Sequence, residues 1–587
     1  MPYTAPVSQI THTLARVAQL DELAATGAFP NFDAELVAPI LEEANKLARD
    51  VLAPLNPIGH KTGAKLGDNG VIAAPGLKDA YRQFIDGGWM SLAFPEAFGG
   101  QGLPKPLALA VFEMIHGANM AFGLCPLLSF GAIEALLAHG TPEQQQMYLP
   151  KLISGEWTGA MNLTEPQAGS DVGALTTKAV PNGDGSYAIT GQKIFITWGD
   201  HDMTDNIIQL VLARLPDAPP GSKGISLFVA PKFFVNADGS LGERNSFKCI
   251  GLEHKMGIHA SPTCVMEYTN AKGWLVGEEN KGLAAMFTMM NSARLNVGLE
   301  GVAVGEAALQ AGVAYAKDRK QGSVPGAKGS VPIIRHPDVQ RMLLTMAANV
   351  QAARAICYAC GAAADLAEHH PDETVRKTAK AREDLLTPLA KGWSTDRAID
   401  VTNLGVQIHG GMGFMGETAA AQYYLDARIT PIYEGTNGIQ AIDLAGRKLA
   451  MDGGGAMRAM IAEVRDSARE LAGVNQPGFL HLSQSLDQAA DALESATAYM
   501  LAEMSANRDK GLAAATTYLR LAGDVVGGHF LARSAYQARD AADSEAAFTL
   551  ASYFAGDTLS RAQGTARALS EGAEAVFAAA GSLWADD

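Results

Sequence analysis

Cysteine is scarce in this sequence, with five residues in 587. That excludes a disulfide-built scaffold and points to a reducing compartment. Cys357 and Cys360 form a CxxC, but it stands alone in the Ala-rich AARAICYACGAAADLA. With no second pair, it reads as buried small apolar side chains rather than as a metal or redox pair. Positive charge is also short: 46 basic residues face 62 acidic ones, a formal charge of -16. Such a chain would be repelled by phosphate backbones, so nucleic acid is excluded as a partner. No apolar run approaches the roughly 18 residues that cross a bilayer, and no membrane span is expected. Residues 1–27 lack an early basic cluster and are interrupted by Asp21 and Glu22, so they do not read as a signal peptide. The expected location is cytoplasmic. No GxGxxG stands between a strand and a helix, and no GxxxxGK[ST] occurs. His369 and His370 lie in the charged HHPDE, which reads as solvated surface rather than a metal site.

The pattern of what is present divides the chain into four parts. A chain of 587 residues is too long for one core and implies about three or four domains. Residues 1–157 carry apolar positions at three- and four-residue spacing, as in FDAELVAPILEEANKLARDVL, and predict an N-terminal helical domain. Residues 158–275 switch to short β-branched runs separated by Gly and Asn, and predict a small antiparallel β-barrel or sandwich. Residues 276–450 return to long amphipathic stretches and predict a helical bundle, interrupted by the Gly/Pro-rich QGSVPGAKGSVPIIRHPD. Residues 451–587 open on Met-Asp-Gly-Gly-Gly, read as a flexible joint, and continue as about four Ala-rich helices without a chemical cluster. The fold class expected is α+β, mainly α.

Five short motifs then agree in order. LTEPQAGSDVGALTT (163–177) combines small residues with hydroxyls, which lets a backbone approach a ligand and offers donors. GQKIFITWG (191–199), GVQIHGGMGF (405–414) and PIYEGTNGIQ (431–440) follow, with Arg294 and Arg319 flanking the long stretch that opens the bundle. In this set the chain strongly resembles the acyl-CoA dehydrogenases. The resemblance runs from about residue 35 to 450. The segment 451–587 resembles the extra C-terminal domain of larger bacterial members, among them the 3-methylmercaptopropionyl-CoA dehydrogenases.

The resemblance implies FAD as cofactor and Glu434 as catalytic base. An acyl α-C–H is a weak acid, so a carboxylate must be held beside it while the thioester carbonyl is polarised. Closure to water raises a carboxyl pKa toward the working range. The resemblance places Leu163, Thr164, Ser170, Phe195, Ile196, Thr197, Arg319, Gln407, Gly410, Gly411 and Thr436 on FAD. It places Ser170, Asn291, Arg294 and Gly435 on the acyl-CoA. Arg319, Gln407 and the two glycines would reach the FAD of a neighbouring subunit, which implies at least a homodimer. Electron-transferring flavoprotein is the implied electron acceptor. The sequence departs from the family after Arg319, where an insertion stands, and at Gly438, where one adenine-side contact would be lost or replaced by Asn437 or Gln440. A short or medium unbranched tail is the expected substrate, 3-methylmercaptopropionyl among the options, beside ordinary straight-chain acyl-CoAs. The segments 117–131 and 282–295 are expected to line the tail pocket, their methionines chiefly filling core. An acyl-CoA oxidase and a non-catalytic assembly protein are the alternatives of other classes. A lost base would mark the latter, and Glu434 is present.

Overall fold

The computed structural model describes residues 3–583, so the outermost residues of the first and last expected domains lie outside the described residues. The chain opens with α1 (Val7–Arg16). The first domain is built around α2 (Lys105–His139), whose sequence is apolar on nearly every face. Contrary to the reading of the sequence, α2 is long and apolar enough to cross a bilayer, with a mean hydropathy of 1.8 over its best window. The reason is burial: 83% of that window is enclosed by protein, so no polar face is needed. Asn119 breaks the helical dihedrals midway, and its Oδ1 accepts from Phe122 N–H at 3.1 Å.

The middle domain is a seven-stranded sheet. Its strands are β1 (Trp157–Asn162), β2 (Lys178–Pro181), β3 (Tyr187–Thr197), β4 (Asn206–Ala213), β5 (Ser226–Pro231), β6 (Phe247–Leu252) and β7 (Thr263–Val276). The spatial order is β1-β4-β5-β7-β3-β2, with β6 on β7. The antiparallel expectation needs correction at one pair, because β1 runs parallel to β4 along its whole length. Every residue of β1 and β4 is buried, as parallel pairs require, and the helices that cover β1 fix its direction. Closure comes from a residue outside the regular strands. Arg214, just past β4, accepts Ala179 N–H at 2.8 Å and donates to Thr177 O at 2.9 Å, so β2 meets the far side of the sheet.

Three long helical stretches follow: α3 (Gly282–Asp318), α4 (Pro337–His369), and α5 (Glu373–Pro388) continuing through a π-turn (Leu389–Trp393) into α6 (Ser394–His409). The insertion after Arg319 folds back on itself, with Gln321 N–H on Val331 O and Ile333 N–H on Arg319 O. Cys357 and Cys360 are 0% and 1% exposed in α4, as small core side chains. Met286 and Met289 are likewise fully buried. The short helices α7 (Ala419–Ala427) and α8 (Asn437–Asp443) bracket the PIYEGT turn.

The last segment holds five helices among the described residues rather than four: α9 (Gly455–Ala472), α10 (Pro477–Ala506), α11 (Arg508–Ala538), α12 (Ser544–Asp557) and α13 (Ala562–Leu583). The Gly-rich entry is a capped turn, not a loose joint. Asp452 accepts the N–H groups of Gly454, Gly455 and Ala456, neutralising the donors that open α9. α11 packs on the π-turn: Trp393 Nε1 donates to Asp524 at 2.8 Å, and a Cβ on Gly523 would sit 2.2 Å from the Trp393 ring. The domain also reaches α1. His12 contacts Asp543 at 2.5 Å and the Ser534 hydroxyl, while Arg16 donates to both Asp543 oxygens at 3.2 Å. Ser534 is only 4% exposed, and these contacts join two chain segments.

Candidate functional site

The PIYEGT stretch is a strained turn held from within. Glu434 has φ of 55° and Gly435 of 81°. The left-handed region is costly for a residue with a Cβ, and such residues persist where the surroundings impose them. Here the surroundings are Gln440, whose amide donates to Glu434 O at 3.3 Å and Gly435 O at 3.2 Å, and Asn437, whose N–H closes on Pro431 O at 3.0 Å. Thr436 caps α8, its Oγ1 accepting Ile439 N–H at 3.2 Å, which leaves its hydroxyl proton for another partner. Asn437 and Gln440 therefore face inward and support the turn. Asn437, one of the two candidates for an adenine-side contact, is occupied by Lys391, Thr395, Asp396 and Gly392, and Gln440 is fully buried with its amide on the turn.

Glu434 keeps part of its surface open, yet protein surrounds it closely. Desolvation lifts its pKa to about 7, against the pull of Arg294 and Lys391. Arg294 lies inside α3 rather than at its edge. It is 4% exposed, 3.6 Å from Asp443, and its Nε has no partner among the described residues. Lys391 sits in the π-turn with no exposed surface and donates to Asn437 at 2.9 Å. Burial drags its pKa down to about 7, against Glu434, Asp396 and Glu300. Lys391 went unnoticed in the sequence because it sits among ordinary helix residues. Its partner Asn437 lies 46 positions away.

The second wall comes from the barrel. Leu163 O receives Lys193 Nζ at 3.0 Å, and Thr164 O receives Ile194 N–H at 2.9 Å. Lys193 also pairs with Glu165 at 2.8 Å, both fully withdrawn from solvent, so the 163–177 loop is tied to β3 by an ion pair that sequence reading missed. Glu165 is held down to about 2, since burial is outweighed by Lys193 and hydroxyl and amide donors. Phe195 has φ of 59° and Trp198 of 50°. These two left-handed residues twist the end of β3 so that the Phe195 ring is 58% exposed while Ile196 enters the barrel core at 2%. Thus Phe195 and Thr197 present side chains outward, and Ile196 can offer only its backbone. Ser170 is exposed on the same loop.

Arg319, Gln407, Gly410 and Gly411 are all exposed and stand apart from the Glu434 turn, at the C-termini of α3 and α6. Phe414, Met412 and Met415 beside them are 87%, 53% and 50% exposed. Asn291 lines a cavity of about 590 Å³ with Thr288, Ser292, Leu295, Phe130 and Phe112. Glu434 and Arg294 are not among its lining residues, although Asn291 Oδ1 lies 3.5 Å from Arg294 Nη1 on α3. A surface depression of about 660 Å³ beside residues 67–72 contains none of the site residues.

The arrangement suits a flat, polar-edged group. An exposed aromatic face, a neighbouring threonine hydroxyl, an unoccupied Thr436 proton and an orphaned buried arginine nitrogen all await partners. The N–H of Glu434 donates to no protein acceptor among the described residues. FAD fits these residues in character.

Family models match nearly end to end. They are the acyl-CoA dehydrogenase N-terminal domain at residues 40–156, the middle domain at 160–271, the C-terminal domain at 280–449, and an acetyl-CoA dehydrogenase C-terminal-like domain at 456–580. The chain is 47% identical over 540 residues to the 3-methylmercaptopropionyl-CoA dehydrogenase of Ruegeria pomeroyi, covering 92% of each. It is 40% identical to a butyryl-CoA dehydrogenase of Syntrophomonas wolfei, over 72% of this chain and 71% of that one. Among solved structures, an FAD-complexed acyl-CoA dehydrogenase from Bacillus anthracis shares the fold at a TM-score of 0.75 and 22% identity, over 92% of this chain and 88% of that one. The chain belongs to the acyl-CoA dehydrogenase family, whose members are FAD-dependent enzymes acting on acyl-CoA.

Proposed function

We propose that the chain dehydrogenates a short or medium unbranched acyl-CoA, 3-methylmercaptopropionyl-CoA foremost, to its trans-2-enoyl-CoA, with Glu434 as base. The observation that carries this is the Glu434 turn: a raised carboxyl and a free backbone N–H in one strained, internally braced segment, with two buried basic side chains, Arg294 and Lys391, facing it from neighbouring helices. The carboxylate takes the α-proton. Glu434 N–H is offered to the thioester oxygen, where negative charge develops. Arg294, with Asp443 anchoring one side of its guanidinium, and the half-open Gly435 lie along the substrate approach. Bound FAD supplies the acceptor for the β-hydride. Leu163, Thr164, Ser170, Phe195, Ile196, Thr197 and Thr436 would hold it on one side. Arg319, Gln407, Gly410 and Gly411 would reach a second copy's FAD. The exposed Phe414 and its methionine neighbours support such a homodimer. Electron-transferring flavoprotein would carry the electrons away. All five cysteines are free thiols, which suits a reducing cytoplasm.

The substrate is tested by anaerobic titration of the flavoprotein with butyryl-, octanoyl-, palmitoyl- and 3-methylmercaptopropionyl-CoA. The flavin absorbance is expected to bleach fastest with the thioether and butyryl thioesters. Fastest bleaching by palmitoyl-CoA would overturn the tail assignment. The acid limb is a second expectation. Only ionised Glu434 accepts a proton, so the bleaching rate should fall about tenfold per pH unit below about 7. Stopped-flow traces across that range check it, and a flat profile would count against Glu434.

A further inference from the structure

A second carboxyl faces the base from α3. Glu300 lies six residues beyond Arg294, roughly 9 Å along the axis, and is 0% exposed. Its Oε2 accepts a hydrogen bond from the Tyr433 hydroxyl, and Tyr433 immediately precedes Glu434. Its Oε1 has no hydrogen-bond partner among the described residues. No cation among them comes within ion-pair distance of either oxygen. A carboxylate so placed is strongly disfavoured, whereas a carboxylic acid is not.

The groups around Glu300 are few. Tyr433 and Glu434 face it from the turn, Lys391 from the π-turn, and Arg294 stands on its own helix, paired with Asp443, which Arg447 also holds. Close packing keeps α3 in place there, since a Cβ at Gly298 would meet Ala390 O at 2.3 Å and one at Gly301 would meet Ser394 O at 3.1 Å. The stretch of α3 that carries Glu300 is thus held against the π-turn and the start of α6.

We propose that Glu300 is a positioning residue. As a neutral acid it anchors Tyr433, and through it the backbone of Glu434, and it leaves the single negative charge of the carboxyl pair on the one that meets substrate. This rests on the reading of Glu434 as base. Burial raises both carboxyls, but Arg294 and Lys391 both pull Glu434 toward ionisation, while Glu300 has only the Tyr433 hydroxyl and Lys391 and keeps one oxygen unpartnered, so the first proton to leave is the base's own. When Glu300 ionises in turn, two carboxylates share one buried space and the Tyr433 anchor changes character. The rate should then fall on the alkaline side.

The test is anaerobic single-turnover flavin reduction by butyryl-CoA and by 3-methylmercaptopropionyl-CoA in the holoenzyme, from pH about 6 to about 9.5. The parent, Glu300→Gln, Glu300→Leu and Tyr433→Phe are compared. The parent profile is expected to be bell-shaped. The carboxamide still accepts from Tyr433 but cannot ionise, so Glu300→Gln should keep the neutral-pH rate within about threefold and lose the alkaline fall. Glu300→Leu and Tyr433→Phe lose the anchor and should be slower by about tenfold or more at every pH, with KM little changed. An alkaline limb that survives in Glu300→Gln, a parent without one, or a Tyr433→Phe rate equal to the parent's would each overturn the proposal. If Glu300→Leu does not fold, the other two variants decide. Parent-like Glu300 variants beside an inactive Glu434→Gln would defeat this proposal alone, while an active Glu434→Gln would defeat the reading beneath it.

Discussion

Glu434→Gln should keep bound FAD and thioester binding and lose turnover by about 10²- to 10⁴-fold. The substitution is close to isosteric, and the left-handed backbone is imposed by Gln440, Asn437 and Thr436 rather than by the carboxylate. What disappears is the atom that can accept a proton. Arg294 and Lys391 lose an opposing charge, so an anionic ligand should bind no less well. The measurement is a pair of spectra: thioester should perturb the oxidised flavin bands in the variant without bleaching them. A rate within about tenfold of the parent would remove Glu434 as base.

The largest loss of stability is expected from Arg354→Met. Arg354 is 1% exposed and gathers three elements. Its Nε and Nη2 grip Glu113 of α2 at 2.9 and 2.7 Å, Nη2 reaches Glu306 of α3 at 3.0 Å, and Nη1 donates to Gln351 at 2.6 Å. Tyr358 adds a bond to Glu113 at 2.8 Å. Methionine would fill the volume but strand two buried carboxylates, and removing one partner of such a group costs about 3–5 kcal/mol. The check is the thermal unfolding midpoint of the holoenzyme, with Arg354→Met/Glu113→Gln as control. The double variant has one carboxylate fewer to leave uncompensated and should recover part of the loss. A single variant within about 1 kcal/mol of the parent would show the cluster to be worth little.

The Glu434 turn could be singled out because its signal is local. Tyr433, Glu434, Gly435 and Thr436 are contiguous, and their meaning survives without knowing what packs on them. The long helices were readable for a similar reason, since apolar spacing within one segment marks its buried face. What escaped depends on partners far along the chain. Lys391 looks like any helix lysine until Asn437 is placed against it, and Glu300 lies 133 residues from Tyr433. Asn437 and Gln440 were read as candidates to replace a ligand contact because they are polar residues beside a motif, and only the fold shows the Gln440 amide spent on the turn's carbonyls and the Asn437 amide on Gly392, Thr395 and Asp396. The parallel β1–β4 pair and the barrel closure at Arg214 escaped because strand direction and pairing partner leave no mark in a single strand's sequence.

The contact of α1 with the last domain has a consequence for synthesis. His12 and Asp543 are separated by 531 residues. At ribosomal rates of about 5–20 residues per second, His12 and Arg16 wait roughly 25 to 100 s after they emerge before Asp543 exists to receive them. During that interval the side of α1 that will face Ser534 and Asp543 stays uncovered, although the helices between can already be folding. The nascent enzyme thus carries an open seam at its first helix until nearly the whole chain has been made, and that seam is where a holding chaperone would have the most to gain.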